Sequence, residues 1–258
     1  MTTRVACLGD SLTRAQLSID YLGLLERCHP PGDVRLTRFS GNGDFVHNLS
    51  QRLDAVVADP PDVITVLIGT NDARASLPGY PVERAMKRRR LPRRPSAGWF
   101  QQCLGAVVER LRAETDATIG LLSLPVLGQQ LDGAAAQASQ AYSRMIAEVA
   151  ATHSAAYLPL HERQTEVLSR ADPPPVPYRE LTPAAGVGVL VQHAVLRRSL
   201  DSISRRRGPP ADDRPHPPEQ PRRRPCRRGH RHLPADPERV AGPGCVTPRR
   251  SHSPERGP

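Results

Sequence analysis

Five short apolar runs, each divided from the next by a stretch of helical periodicity, constrain this chain of 258 residues more than any other feature. Arg4 to Leu8, ending at Gly9, is the first run, Val34 to Phe39 the second, and Asp62 to Gly69 (Asp-Val-Ile-Thr-Val-Leu-Ile-Gly) the third. Ala117 to Leu124 and Ala155 to Leu160 complete the series. The third and fourth are almost continuously apolar, as strands covered on both faces are. Between the runs the period changes. Phe100, Leu104, Val107 and Leu111 share one helical face, as do Leu49, Leu53, Val56 and Val57. Ala134 to Ala151 is rich in good helix formers, and Pro183 stands where a first-turn proline opens a helix reaching to about Arg206. Alternation of this kind predicts an α/β protein, a three-layer α/β/α sandwich around a parallel sheet of about five strands. Ligands of such sheets gather at the carboxyl ends of the strands.

Composition divides the chain. Residues 201–258 hold 13 of the 28 prolines, 14 of the 36 basic and 7 of the 26 acidic side chains, and no Phe, Trp or Tyr. Of the formal charge of +10, +7 therefore lies there. A segment with so little apolar area cannot offset the entropy lost on ordering its backbone. The expected organisation is a folded domain over 1–207 and an Arg/Pro-rich disordered tail over 208–258. Elsewhere basic residues cluster only from Lys87 to Arg94, and the few aromatic residues (3%) do not interleave with them. No base-stacking platform results and no specific nucleic-acid partner is expected, although a basic nucleic-acid-binding protein stands as an alternative. Five widely spaced cysteines, with no Cys-x-x-Cys or Cys/His ligand spacing, imply reduced thiols and no structural metal. No run is long enough to span a bilayer and the start is not a signal peptide, so a cytoplasmic protein is expected.

The chemistry-bearing residues follow the first three strands. Gly9-Asp10-Ser11-Leu12 places a serine at a strand's carboxyl end, beside the free N–H groups of a helix start. By itself this string reads as a helix N-cap after a turn glycine. After the second strand comes Ser40-Gly41-Asn42-Gly43-Asp44, where glycine lets the backbone approach a ligand closely. After the third comes Gly69-Thr70-Asn71-Asp72, whose Asn71 alone reads as an Asx-turn or cap. Three such strings in order, each after its own strand, carry more weight than any one.

Gly9-Asp10-Ser11-Leu12, the glycine before Asp44, and Gly69-Thr70-Asn71-Asp72 resemble the first three blocks of the GDSL/SGNH hydrolase family. The match covers residues 4–75, and the strand–helix order extends it to about residue 207. The resemblance implies the SGNH fold with its flavodoxin-like sheet. It also implies esterase- or lipase-like hydrolysis of a small-molecule carboxylic ester, without a cofactor. Ser11 would be the nucleophile. The oxyanion hole would comprise the main-chain N–H groups of Ser11 and Gly43 and the carboxamide of Asn71. Gly43 is preferred to Gly41 because family members place this glycine directly before an acidic or polar residue. Asp10, Thr70 and Asp72, in the same blocks, are the expected substrate-binding residues. The arginine-bearing loop from Gly79 to Ala97 would border the pocket and favour anionic substrates, or else be a solvated loop.

The family's fourth block is Asp-x-x-His followed shortly by Asn, with the histidine as general base and the aspartate orienting it. Its literal match is Asp213-Arg214-Pro215-His216, which lies among prolines and lacks the asparagine. His47 and His193 fall in helical patterns, and His161 at a helix start. The genetic code offers a reason. With Asp as GAC, His as CAC, Gln as CAG and Glu219 as GAA, reading one nucleotide later permits Thr-Thr-Asp-x-Thr-His-x-Asn-Ser over residues 212–221. This predicts a one-base frameshift near Gly208. If the tail is as written, the alternative is a catalytically impaired member, since losing the base costs serine hydrolases on the order of a millionfold in kcat.

Overall fold

The computed structural model describes residues 1–15 and 18–170. Its strands are β1 (Thr3–Gly9), β2 (Val34–Ser40), β3 (Val63–Leu67), β4 (Thr118–Leu122) and β5 (Ala156–Leu158). The helices are α1 (Ser11–Arg14), α2 (Tyr21–Arg27), α3 (Val46–Ser50), α4 (Asp54–Val57), α5 (Thr70–Ala75), α6 (Val82–Arg89), α7 (Ala97–Glu114), α8 (Ala134–Thr152) and α9 (Leu160–Ser169). The strands form one parallel sheet in the order β2-β1-β3-β4-β5. From β1 the chain steps outward to β2, returns past β1 to β3, and then proceeds to β4 and β5. Right-handed crossovers taken in opposite directions put their helices on opposite faces. The segment α1–α2 thus covers one face, and α3, α4, α7 and α8 the other, giving the three layers expected.

The long helix α7 shows why the sequence folds this way. Ser96 caps it by accepting a hydrogen bond from the Trp99 N–H at 3.3 Å, and its apolar face then repeats through Phe100, Leu104, Val107 and Leu111. All four are at most 1% exposed, as are Leu8 and Ile64 on the strands they meet. Burying one such side chain contributes about 1.5–3 kcal/mol relative to leaving it in water. In β1, Ala6, Cys7 and Leu8 are successive buried residues, so this strand too is covered on both faces.

Several expected boundaries shift for local reasons. The third strand ends at Leu67 because Gly69 takes a φ of +117°, which turns the chain out of the sheet. The fifth stops at Leu158, ahead of Pro159, which has no N–H to give a ladder. The helix carrying Leu49, Leu53 and Val56 is two short ones, because Arg52 and Val56 donate to carbonyls three residues back and tighten the turn between them. The arginine-bearing loop from Gly79 to Ala97 is corrected most: it contains α6. Glu83 lies in the first turn of α6, Lys87, Arg88 and Arg89 lie in the last, and the order suits the helix dipole. The helix expected after Pro183, the boundary at 207 and the tail lie outside the described residues.

Candidate active site

The register brings three strand ends level. Gly9 is paired with Ser40 on one side and Leu67 on the other, so the three motif loops leave the sheet side by side. After β1, a Cβ at Gly9 would stand 2.6 Å from the Leu67 carbonyl oxygen, and only glycine permits the tight entry into α1. Asp10 caps that helix through its Oδ1, which accepts from the Leu12 N–H at 2.9 Å. Ser11 follows as the first helical residue, half-buried. After β2, the Gly41 N–H reaches back to the Gly9 carbonyl at 3.4 Å, and the Asp44 N–H closes a turn on the Gly41 carbonyl at 3.3 Å. Inside that turn Gly43 has a φ of +70°. The main-chain N–H groups of Ser11 and Gly43 give no hydrogen bond among the described residues. After β3, Gly69 starts α5, whose first turn carries Thr70, Asn71 and Asp72.

The Asn71 carboxamide ties these loops together. Its Nδ2 donates to the Asp44 carbonyl at 2.9 Å and to Asp10 Oδ2 at 3.4 Å. Asp10 directly precedes Ser11, and Asp44 directly follows Gly43. The amide therefore lies between the two loops. Its Oδ1 accepts from Arg74 Nη1 at 3.2 Å. Asp72 adds a further tie, accepting the Val46 N–H on Oδ2 at 3.1 Å. Asp44 turns its own carboxylate to Arg52 and, at 3.3 Å, to Arg89.

Burial sets the charge of the two inner carboxyls. Asp10 is pushed up to about 7, first by desolvation and further by the charge of Asp44, against the Leu12 N–H and Arg74, which favour the anion. Asp72 is also pushed up to about 7, again first by desolvation and with Asp10 adding to it, against the Val46 N–H. A buried carboxyl without a full set of donors holds its proton. Both therefore change charge near neutral pH.

Of the expected substrate-binding residues, Asp10 and Asp72 are wholly buried and bonded to main-chain N–H groups. Thr70 differs: its buried Oγ1 has no hydrogen-bond partner among the described residues. Of the described histidines, His47 packs its ring on Trp99 at 5.2 Å. His161 is buried at the start of α9, its Nδ1 against the Leu124 carbonyl at 3.2 Å. It follows β5, three strands from β1, which at about 4.8 Å per strand is roughly 14 Å. His193, Asp213 and His216 lie outside the described residues. Sequence reasoning missed Arg74, whose signal was its place three residues after Asn71 on one helix. It also missed Arg52 and Arg89, which meet Asp44 only in the folded chain. Among the described residues, no helix is long and apolar enough to cross a membrane.

A family model now decides the assignment: that of the GDSL-like lipase/acylhydrolase family matches residues 7–182. The chain belongs to that family. This membership makes it an ester hydrolase of the serine type and accounts for the order of its three motif loops. Solved structures share the fold. A catalytic mutant of Axe2, an acetylxylan esterase from Geobacillus stearothermophilus, superposes with a TM-score of 0.56 at 18% identity, over 76% of this chain and 94% of that one. LAE5, an α/β hydrolase from the metagenome of Lake Arreo, Spain, gives a TM-score of 0.54 at 17% identity, over 76% and 95%. No curated protein sequence matches the chain.

Proposed function

We propose that this GDSL-family hydrolase cleaves small carboxylic esters through an acyl-enzyme on Ser11. The Ser11 oxygen attacks the ester carbonyl and the alcohol leaves, after which water attacks the acyl-enzyme and releases the acid. In both steps the N–H groups of Ser11 and Gly43 and the carboxamide of Asn71 receive the charge that develops on the carbonyl oxygen. Fixed donors of this kind stabilise the transition state without having to reorient during the reaction. The observation that carries the reading is the position of Asn71, bonded at once to the residue before Ser11 and to the residue after Gly43. Asp213 and His216 are the proposed orienting acid and base. The odd number and wide spacing of the cysteines favour a reducing compartment, and the cytoplasm is the proposed location.

A second reading is a member impaired in proton transfer. It is favoured by the engagements of His47 with Trp99 and of His161 with Leu124, which commit those rings elsewhere. Hydrolysis of p-nitrophenyl acetate separates the two readings. Turnover by the wild type that disappears in Ser11→Ala and falls at least ~1,000-fold in His216→Ala supports the first. Wild-type turnover at the uncatalysed background supports the second, and turnover above that background that survives Ser11→Ala removes both.

A further inference from the structure

We infer that Arg74 and Asp10 are positioning residues that grip the Asn71 carboxamide from its two ends and so fix which end faces the reacting carbonyl. The inference rests on Asn71 serving as an oxyanion donor. A carboxamide is nearly symmetric in shape, and rotation by half a turn would present an acceptor where a donor is required. The fold removes that ambiguity with a one-sided partner at each end of the amide and a carboxyl oxygen beside them. Arg74 has only donors, and its Nη1 meets Oδ1 at 3.2 Å. The Asp44 carbonyl has only acceptor capacity and meets Nδ2 at 2.9 Å. The carboxyl of Asp10 supplies an acceptor oxygen to the same Nδ2 at 3.4 Å.

Each gripping residue is itself held. Arg74 lies three residues beyond Asn71 on α5, on the same side of the helix, and its guanidinium rests over the Tyr80 ring at 5.5 Å. Asp10 is anchored through its other oxygen by the Leu12 N–H at 2.9 Å. The two contacts on Nδ2 are unequal, and that inequality suits catalysis. The short bond to Asp44 keeps the amide in place. The long one to Asp10 is the weaker, so its proton is the one an incoming oxyanion takes over. A cationic donor on Oδ1 also draws electron density through the amide and strengthens Nδ2 as a donor. Arg74 therefore orients the amide and sharpens it.

The variants are Arg74→Met, which keeps the length of the side chain without its donors, Arg74→Lys, which restores one donor, and Asp10→Asn. An asparagine at position 10 still caps Leu12 through its oxygen, but it turns a second amide nitrogen toward Asn71, donor against donor. Two readouts are taken on the full chain: steady-state kinetics with p-nitrophenyl acetate and the 15N–1H signals of the Asn71 carboxamide. Arg74→Met and Asp10→Asn lower kcat by about 10- to 100-fold with KM within about twofold, part of the loss expected for a missing oxyanion donor. Arg74→Lys recovers at least a third of the difference. Both damaging variants shift the Asn71 amide signals and speed their exchange with solvent, which a general loss of packing would not confine to that side chain. Unmoved Asn71 signals in Arg74→Met overturn the inference whatever the activity. If Asn71→Ala lowers kcat and Arg74→Met does not, the grip alone is wrong. If Asn71→Ala leaves kcat unchanged, the oxyanion reading on which it rests fails instead.

Discussion

Substituting Gly69 by alanine tests how tightly the fold specifies the turn that delivers Asn71. Two costs follow from the coordinates. The backbone at residue 69 has a φ of +117°, a region closed to most side chains, and holding alanine there costs about 1–3 kcal/mol. The new Cβ would stand 2.6 Å from Phe100 Cε2 and 2.9 Å from its Cζ. That ring cannot swing aside freely, because Phe100 is 1% exposed and packs on Tyr142 with ring centroids 4.9 Å apart. Overpacking of this kind costs about 1–3 kcal/mol. The sum, about 2–6 kcal/mol, is a large part of the roughly 5–15 kcal/mol that stabilises a typical domain. Urea unfolding followed by the fluorescence of Trp99, the chain's one tryptophan, measures it. Phe100→Leu removes the ring atoms in the way while leaving the strained φ. In a double-mutant cycle it therefore recovers about 1–3 kcal/mol of the Gly69→Ala cost. A Gly69→Ala protein within about 0.5 kcal/mol of wild type, or a cycle with no coupling, refutes the reasoning.

Other expectations follow from the same contacts. Asp10 and Asp72 have folded-state values near 7, above the ordinary 3.8, so between about pH 4 and 7 the folded chain holds more protons than the unfolded one. These two groups therefore favour the folded state below pH 4 and lose that contribution as pH rises through about 7. Asp72→Asn raises the urea midpoint more at pH 8 than at pH 5, and an equal change at both contradicts this assignment. Leu111→Ala, at a fully buried position of α7, costs about 2–5 kcal/mol in the same unfolding assay. Asp44→Asn removes the anion shared by Arg52 and Arg89. Since both arginines keep access to water, the stability loss stays near 1–2 kcal/mol, while kcat for p-nitrophenyl acetate falls at least tenfold as the Gly43 turn loosens.

Much of the fold was legible because the decisive signals are local. The apolar face from Phe100 to Leu111 and the runs ending at Gly9 and Gly69 need no knowledge of distant residues. The three motif loops were legible for the same reason, each being continuous in sequence and placed at a strand end. What stayed hidden depends on distance in the chain. Asp44 meets Arg89 from 45 residues away, and Asn71 meets Asp10 from 61. Periodicity has nothing to say about such pairs. The arginine-rich segment 87–94 concealed α6 differently: its basic residues look like a solvated loop until Lys87, Arg88 and Arg89 are seen as the last turn of a helix that favours positive charge.

The most direct test of the site is a crystal structure of the protein after reaction with a fluorophosphonate ester, which leaves a tetrahedral phosphorus on an activated serine. The expected adduct has phosphorus bonded to Ser11 Oγ, with one oxygen within about 3 Å of the Ser11 and Gly43 nitrogens and of Asn71 Nδ2. An adduct on another residue, or a phosphoryl oxygen facing away from Gly43 and Asn71, would contradict this reading of the site.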